Sequence, residues 1–186
     1  FGSRDNLAIA DRYNELKAFY PNANILMGTT SGEILDSEVM DDTIISTAIH
    51  FDHTRISVAF SNIDENKDSY TAGEKLVAAL PKEELVHVFV ISDGQKVNGS
   101  ELVKGLNHNL PPHVSVTGGL AGDGAKFEKT LVGINQAPSS GNLVAVGFYG
   151  THLKIGYGSM GGWDPFGPER KVTSSNGNVL FELDNQ

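Results

Sequence analysis

The 186 residues carry a formal net charge of −9, six histidines, 21 glycines and no cysteine, with 39% hydrophobic and 20% charged content. That is the composition of one globular domain with its own core and excludes a disordered chain. The acidic balance opposes phosphate backbones and anionic membranes, so neither nucleic acid nor membrane is an expected partner. The lack of cysteine removes disulfides, thiolate metal sites and cysteine nucleophiles, and fits a cytoplasmic setting.

In chain order, Ile9, Tyr13, Leu16 and Tyr20 recur at helical spacing and predict an amphipathic helix over residues 6–20, stopped by Pro21. The apolar run 24–27 predicts a strand that enters the glycine-bounded turn Gly28-Thr29-Thr30-Ser31-Gly32. Residues 43–51 and 54–62 are rich in β-branched side chains and predict a hairpin turning at Asp52-His53. A helix over 70–80 ends at Pro81 and leads to a buried strand over 86–92.

The order then repeats. A helix over 100–110, capped by Asn98 and Glu101, ends at Pro111-Pro112. The strand 114–116 runs into Thr117-Gly118-Gly119-Leu120-Ala121-Gly122, and strands over 142–149 and 152–159 repeat the earlier hairpin. Self-similarity at an offset of about 90 residues predicts a pseudo-symmetric α/β (α+β) fold of duplicated strand–helix–strand–hairpin units, with mixed sheets covered by helices. On this reading residues 1–186 form one domain. Phe1-Gly2-Ser3 ends a strand whose beginning, the counterpart of 86–92, is expected to lie outside these residues.

The two strand-to-glycine turns are the leading candidate site: Thr29, Thr30, Ser31 and Gly32 in the first, Gly118, Gly119, Gly122 and Asp123 in the second. Glycine admits close approach, and consecutive N–H groups with hydroxyls can cradle a polar ligand. The alternative is that both are turns the fold requires. Neither is a phosphate-binding loop, because Gly-Lys-Ser/Thr is absent. The GxGxxG match at 156–161 lacks the helix that a dinucleotide fingerprint needs. The loop 161–168 presents Trp163 and Phe166, able to stack on a planar ligand or to plug one end of the core. Asp123 and Glu33, brought together by the pseudo-symmetry, would be the acid and base of an enzymatic reading.

Among the histidines, His50 and His53 read as a solvated turn, His87 as a core residue, and His108, His113 and His152 as element ends. A single histidine suffices to bind haem iron, and no local motif selects one.

The segments 27–34, Asp93-Gly94 with 98–102, 118–124, Gly161-Gly162-Trp163 to Pro168, and Val172-Thr173 through Asn178-Val179-Leu180 to Glu182-Leu183-Asp184 resemble the N-terminal domain of the FIST family. The family pattern begins earlier and continues past Asp184 into a C-terminal FIST domain. The resemblance implies a cytoplasmic sensory domain, not an enzyme. It would bind a small ligand such as an amino acid and signal to a partner such as a histidine kinase or a cyclic-di-nucleotide enzyme. One subgroup binds haem and senses nitric oxide, which makes haem the cofactor of an alternative reading.

Overall fold

The computed structural model describes residues 1–9, 11–158, 160–162 and 164–186, which divide into two compact units, Phe1–Ile155 and Gly156–Gln186. Among the described residues four helices and ten strands in mixed sheets give an α/β fold, about 19% helix and 31% strand. The first unit contains α1 (Arg4–Leu7), α2 (Arg12–Phe19), β1 (Leu26–Gly28), β2 (Glu33–Leu35), β3 (Glu38–Met40), β4 (Arg55–Asn62), α3 (Ser69–Ala78), β5 (Leu85–Ser92), α4 (Gly99–His108), β6 (Ser115–Leu120), β7 (Val132–Ile134) and β8 (Asn142–Tyr149). The second holds β9 (Val172–Asn176) and β10 (Val179–Leu183), an antiparallel pair.

The central sheet has the order β4-β8-β5-β6, with β5 and β6 parallel and the other pairs antiparallel. Alternation along its strands sends Ala59, Val88, Val90, Leu143 and Ala145 into one apolar cluster with Ala72, Leu76, Leu102 and Leu106 of α3 and α4. Asp68 caps α3 by accepting from the Thr71 N–H at 2.8 Å, and Asn98 caps α4 by accepting from Glu101 N at 3.2 Å. The two helices touch through glycine. A Cβ on Gly105 would lie 2.1 Å from the Tyr70 carbonyl oxygen, and one on Gly73 would lie 2.7 Å from that of Leu102. We therefore expect Gly105→Ala to force α3 and α4 apart and to cost about 2–3 kcal/mol. A denaturant titration reads this as a lower midpoint with an unchanged slope.

Several expected elements differ. The helix over 6–20 is two helices, α1 and α2, separated by a turn in which Arg12 N donates to Ile9 O at 3.1 Å. Neither expected hairpin forms. Residues 43–51 make only the single bridge Ile44↔Gly2, and the described residues of 152–159 form no strand. β4 pairs instead with β8, from Arg55↔Tyr149 to Asn62↔Asn142, so a strand of the first repeat is matched to one of the second. The partner exchange is invisible to local propensity, which fixes where a strand forms and not what it pairs with. Gly118 and Gly119 also lie within β6, beside Val90 and Ile91 of β5, and not in a turn.

The duplication survives in the pairing. Gly2 is parallel to Thr29 and antiparallel to Ile44, as Ser92 is parallel to Leu120 and antiparallel to Leu143.

Candidate functional site

The two candidate turns meet. Gly122 N donates to Thr29 O at 2.9 Å, and Gly124 N donates to Ser31 Oγ at 3.1 Å. The contact needs glycine at 122, since a Cβ there would lie 2.3 Å from Ser31 Oγ and 2.8 Å from Ser31 N. Thr29 is buried, and its N–H and hydroxyl oxygen both pair with Leu131, at 3.0 and 3.1 Å. Thr30 donates its N–H to Gly2 O and its hydroxyl to Glu33 Oε1. Much of the polar equipment of the turns is thus spent on holding them together. Ser31 is exposed, and its hydroxyl keeps a free donor after accepting from Gly124. Gly32, at φ 138°, follows it on the same rim.

The acids are anchored. Asp123 Oδ2 accepts from Glu128 N and Lys129 N, both at 2.9 Å, and from Arg4 Nη1 at 3.0 Å. Arg4 also donates to Glu128 Oε2 at 3.0 Å. Burial pushes the Asp123 carboxyl up, but the two amides, with Arg4 and Lys126, outweigh it and hold the group below its ordinary value. Buried Glu33 behaves in the same way: burial raises it, while the bonds from Thr30 and Thr43 bring it below the usual range. Glu33 and Asp123 therefore sit in separate hydrogen-bond sets, each stabilised as a carboxylate. A general acid needs the opposite tuning.

Gly118 and Gly119 are on β6, and Phe166 belongs to the second unit, where its side chain is exposed. Trp163 lies outside the described residues. His87 is a buried strand residue whose ring nitrogens pair with Ser115 Oγ at 2.7 Å and Thr117 Oγ1 at 2.8 Å, and burial lowers its pKa. His53 and His152 are exposed with ring centroids 5.2 Å apart, and His108 pairs with Glu74 at 2.6 Å. No group of three or more histidine, aspartate or glutamate side chains able to hold a metal ion occurs among the described residues. No helix among them is long and apolar enough to cross a membrane.

Two residues escaped the sequence reading. Arg4 reaches Asp123 across 119 positions, a contact with no local signature. Asp93, read only as part of an Asp-Gly pair, is wholly buried and accepts from Gln95 N and Lys96 N through Oδ1, and from Ser140 Oγ and Gly141 N through Oδ2.

The fold is thus a duplicated α/β unit whose repeats are joined at paired strand-to-glycine turns, with Glu33 and Asp123 anchored in separate hydrogen-bond sets. The chain belongs to the FIST family: the model of the FIST N domain matches residues 1–186. FIST domains are a family of sensory domains. No curated protein and no solved structure matches the chain.

Proposed function

We propose that this domain is the input half of a signalling sensor and that it binds a small ligand, with amino acids as the first class to try, at the rim formed by Ser31 and Gly32. The observation that carries this reading is the direct bonding of the two turns. A ligand taking the free Ser31 donor would act on the Gly124 N–H bond, and through it on the segment that leads from β6 to the Arg4–Asp123 pair. Such a contact links ligand binding in one repeat to the geometry of the other. The output partner on this reading is a histidine kinase or a cyclic-di-nucleotide enzyme, reached together with a C-terminal FIST domain.

A thermal-shift screen of amino acids on the protein, repeated on Ser31→Ala, tests the reading. Ser31 is exposed, so the variant should fold with a melting temperature close to the parent and lose at least tenfold in affinity for the stabilising amino acid, about 1.4 kcal/mol. Equal affinity in both proteins would place the ligand elsewhere.

A further inference from the structure

β1 and β6 are counterparts in the two repeats: Thr29 stands beside Gly2 as Leu120 stands beside Ser92, and Gly28 and Gly119 precede them. β2 and β7 are counterparts as well, at one constant offset in sequence. Glu33↔Met40 belongs to the β2–β3 hairpin as Val132↔Ser139 belongs to the turn after β7, and Asp36 at φ 53° matches Asn135 at φ 54°. β7 gives its other edge to β1, in the register Leu26↔Ile134, Met27↔Gly133, Gly28↔Val132. Asn135 finishes that ladder, its N–H donating to Ile25 O and its Oδ1 accepting from Ile25 N, both at 2.9 Å. The counterpart pairing, β2 with β6, is not made among the described residues.

Both edges stand open. Ala121 N donates to Ser92 O at 2.8 Å, so strand alternation turns the N–H groups of Val116, Gly118 and Leu120 away from β5, toward the free side of β6. In the hairpin, the two-residue turn makes Leu35 and Glu38 the hydrogen-bonded closing pair, which leaves the N–H and C=O of Ile34 pointing outward. The side chains of Ile34 and Leu35 are 67% and 52% exposed. An open edge beside uncovered apolar residues is a template for pairing. The bonds from Gly122 N to Thr29 O and from Gly124 N to Ser31 Oγ already hold the end of β6 against the start of the hairpin.

We propose that the outer edge of β6 is the seat of the β2–β3 hairpin, which closes onto it about Ser31-Gly32 as an antiparallel strand in the register Thr117↔Leu35, Gly118↔Ile34, Gly119↔Glu33. In the closed form Gly118 and Ile34 exchange N–H to C=O bonds. Leu120 N donates to Gly32 O, as Thr29 N donates to Leu131 O, and Asp36 takes the part of Asn135 by accepting from Val116 N. The side chains suit this register. The central rung Met27↔Gly133 sets a large residue against glycine, and Gly118↔Ile34 does the same with the strands exchanged. The occupant is the chain's own hairpin, because a tether only a few residues long gives it an effective concentration that a second copy or a free peptide does not reach. Closure covers Ile34 and Leu35 and continues the central sheet through β2 to β3. This inference does not rest on the ligand reading, and its test contains no ligand.

The test is disulfide trapping with diamide, on a chain that has no cysteine of its own. Three double variants are compared: Leu35→Cys with Thr117→Cys, Leu35→Cys with Ser115→Cys, and Val39→Cys with Thr117→Cys. Positions 35 and 117 form a non-hydrogen-bonded pair in the closed form, the geometry in which facing side chains come closest. The first variant should link within one chain about tenfold faster than the other two. In the linked protein the amides of Val116, Gly118, Leu120 and Ile34 should exchange about tenfold more slowly than in the reduced one, with Val39, on the far edge of the hairpin, unchanged. Equal linking rates in the three variants overturn the register. A disulfide joining two chains overturns the tethered hairpin as occupant, and unaltered exchange at Gly118 and Ile34 in the linked protein overturns the ladder. Thr117 also bonds His87. Should its replacement unfold the chain, exchange in the unaltered protein decides: after correction for intrinsic rates, Gly118 and Ile34 should be slower than Val39 by about threefold or more, and parity among the three overturns closure.

Discussion

Gly118→Ala should be among the most damaging single substitutions in this domain, while Gly119→Ala, one residue on, should be nearly silent. Gly118 adopts φ 145°, a backbone conformation that is close to glycine-only. A Cβ there would lie 1.8 Å from the Val90 carbonyl oxygen and 2.7 Å from the Val90 carbonyl carbon, in the neighbouring parallel strand. Those atoms are backbone in the middle of the central sheet, so no side-chain rotation relieves the clash. Either β6 separates from β5 or the main chain rotates into a form that breaks their register. Overpacking and dihedral strain together are expected to cost about 3–5 kcal/mol, which for a domain of this size lowers the melting temperature by about 10 °C. At Gly119 a Cβ meets nothing within 4 Å and φ is not positive, so alanine should stay within about 0.5 kcal/mol. Calorimetry on the two variants separates these outcomes. Similar melting temperatures for both would mean that β6 does not run beside Val90 in this register. The pair also bears on function: ligand affinity lost in Gly118→Ala but kept in Gly119→Ala is loss of the sheet, not of a contact.

What the amino-acid pattern revealed and what it hid divide along a physical line. The helix over 70–80, the strands over 86–92 and 142–149 and the helix capped at Asn98 were legible because each carries its own signal: a cap, a terminating proline or a run of buried β-branched residues. β5 and β8 agree with those expectations to within a residue or so at their ends. The strand expected over 43–51 has the right propensity but, past Ile45, no edge to pair with among the described residues, and a strand without a ladder is not a strand. β7 is only Val132–Ile134, too short to stand out, and exists because Leu26, Met27 and Gly28 of β1 lie opposite it. At the site, the glycines marked the two turns but not their contact. Nothing near position 31 says that Gly124, 93 positions away, will donate to the Ser31 hydroxyl. The same holds for Asp93, where a buried acceptor of four hydrogen bonds and a solvent-facing turn aspartate look alike in sequence.

Asp93 is the second position where a single change should have a large effect, and its effect depends on pH in a direction that can be worked out. The carboxylate closes two loops at once, the one leaving β5 through Gln95 and Lys96 and the one entering β8 through Ser140 and Gly141. Alanine would leave three N–H groups and a hydroxyl without their acceptor in a site with no exposure, at a cost of about 3–4 kcal/mol. Asparagine keeps one acceptor oxygen but turns an NH2 group toward either the Gln95–Lys96 amides or the Ser140–Gly141 donors, and should cost about 2 kcal/mol. Burial raises the Asp93 carboxyl, and the bonds from Gly141, Lys96, Gln95 and Ser140 more than offset it, so the folded state holds the group below its ordinary value. As pH falls below ~4 the unfolded chain takes up this proton first, so the stabilisation is complete above that pH and disappears as pH drops through the folded value. Glu33 and Asp123 are lowered as well and act in the same window. His87 is lowered by burial too, but its loss of stability begins higher, as pH falls below ~6.5, because the unfolded imidazole charges there while the folded one does not. Urea titrations of the parent and Asp93→Asn between pH 3 and 7 should therefore give curves that run parallel above pH ~5 and converge below ~4. Curves that stay parallel through the acid range would show that Asp93 takes up its proton alike in the folded and unfolded chain, and that the two loops are held by something other than its charge.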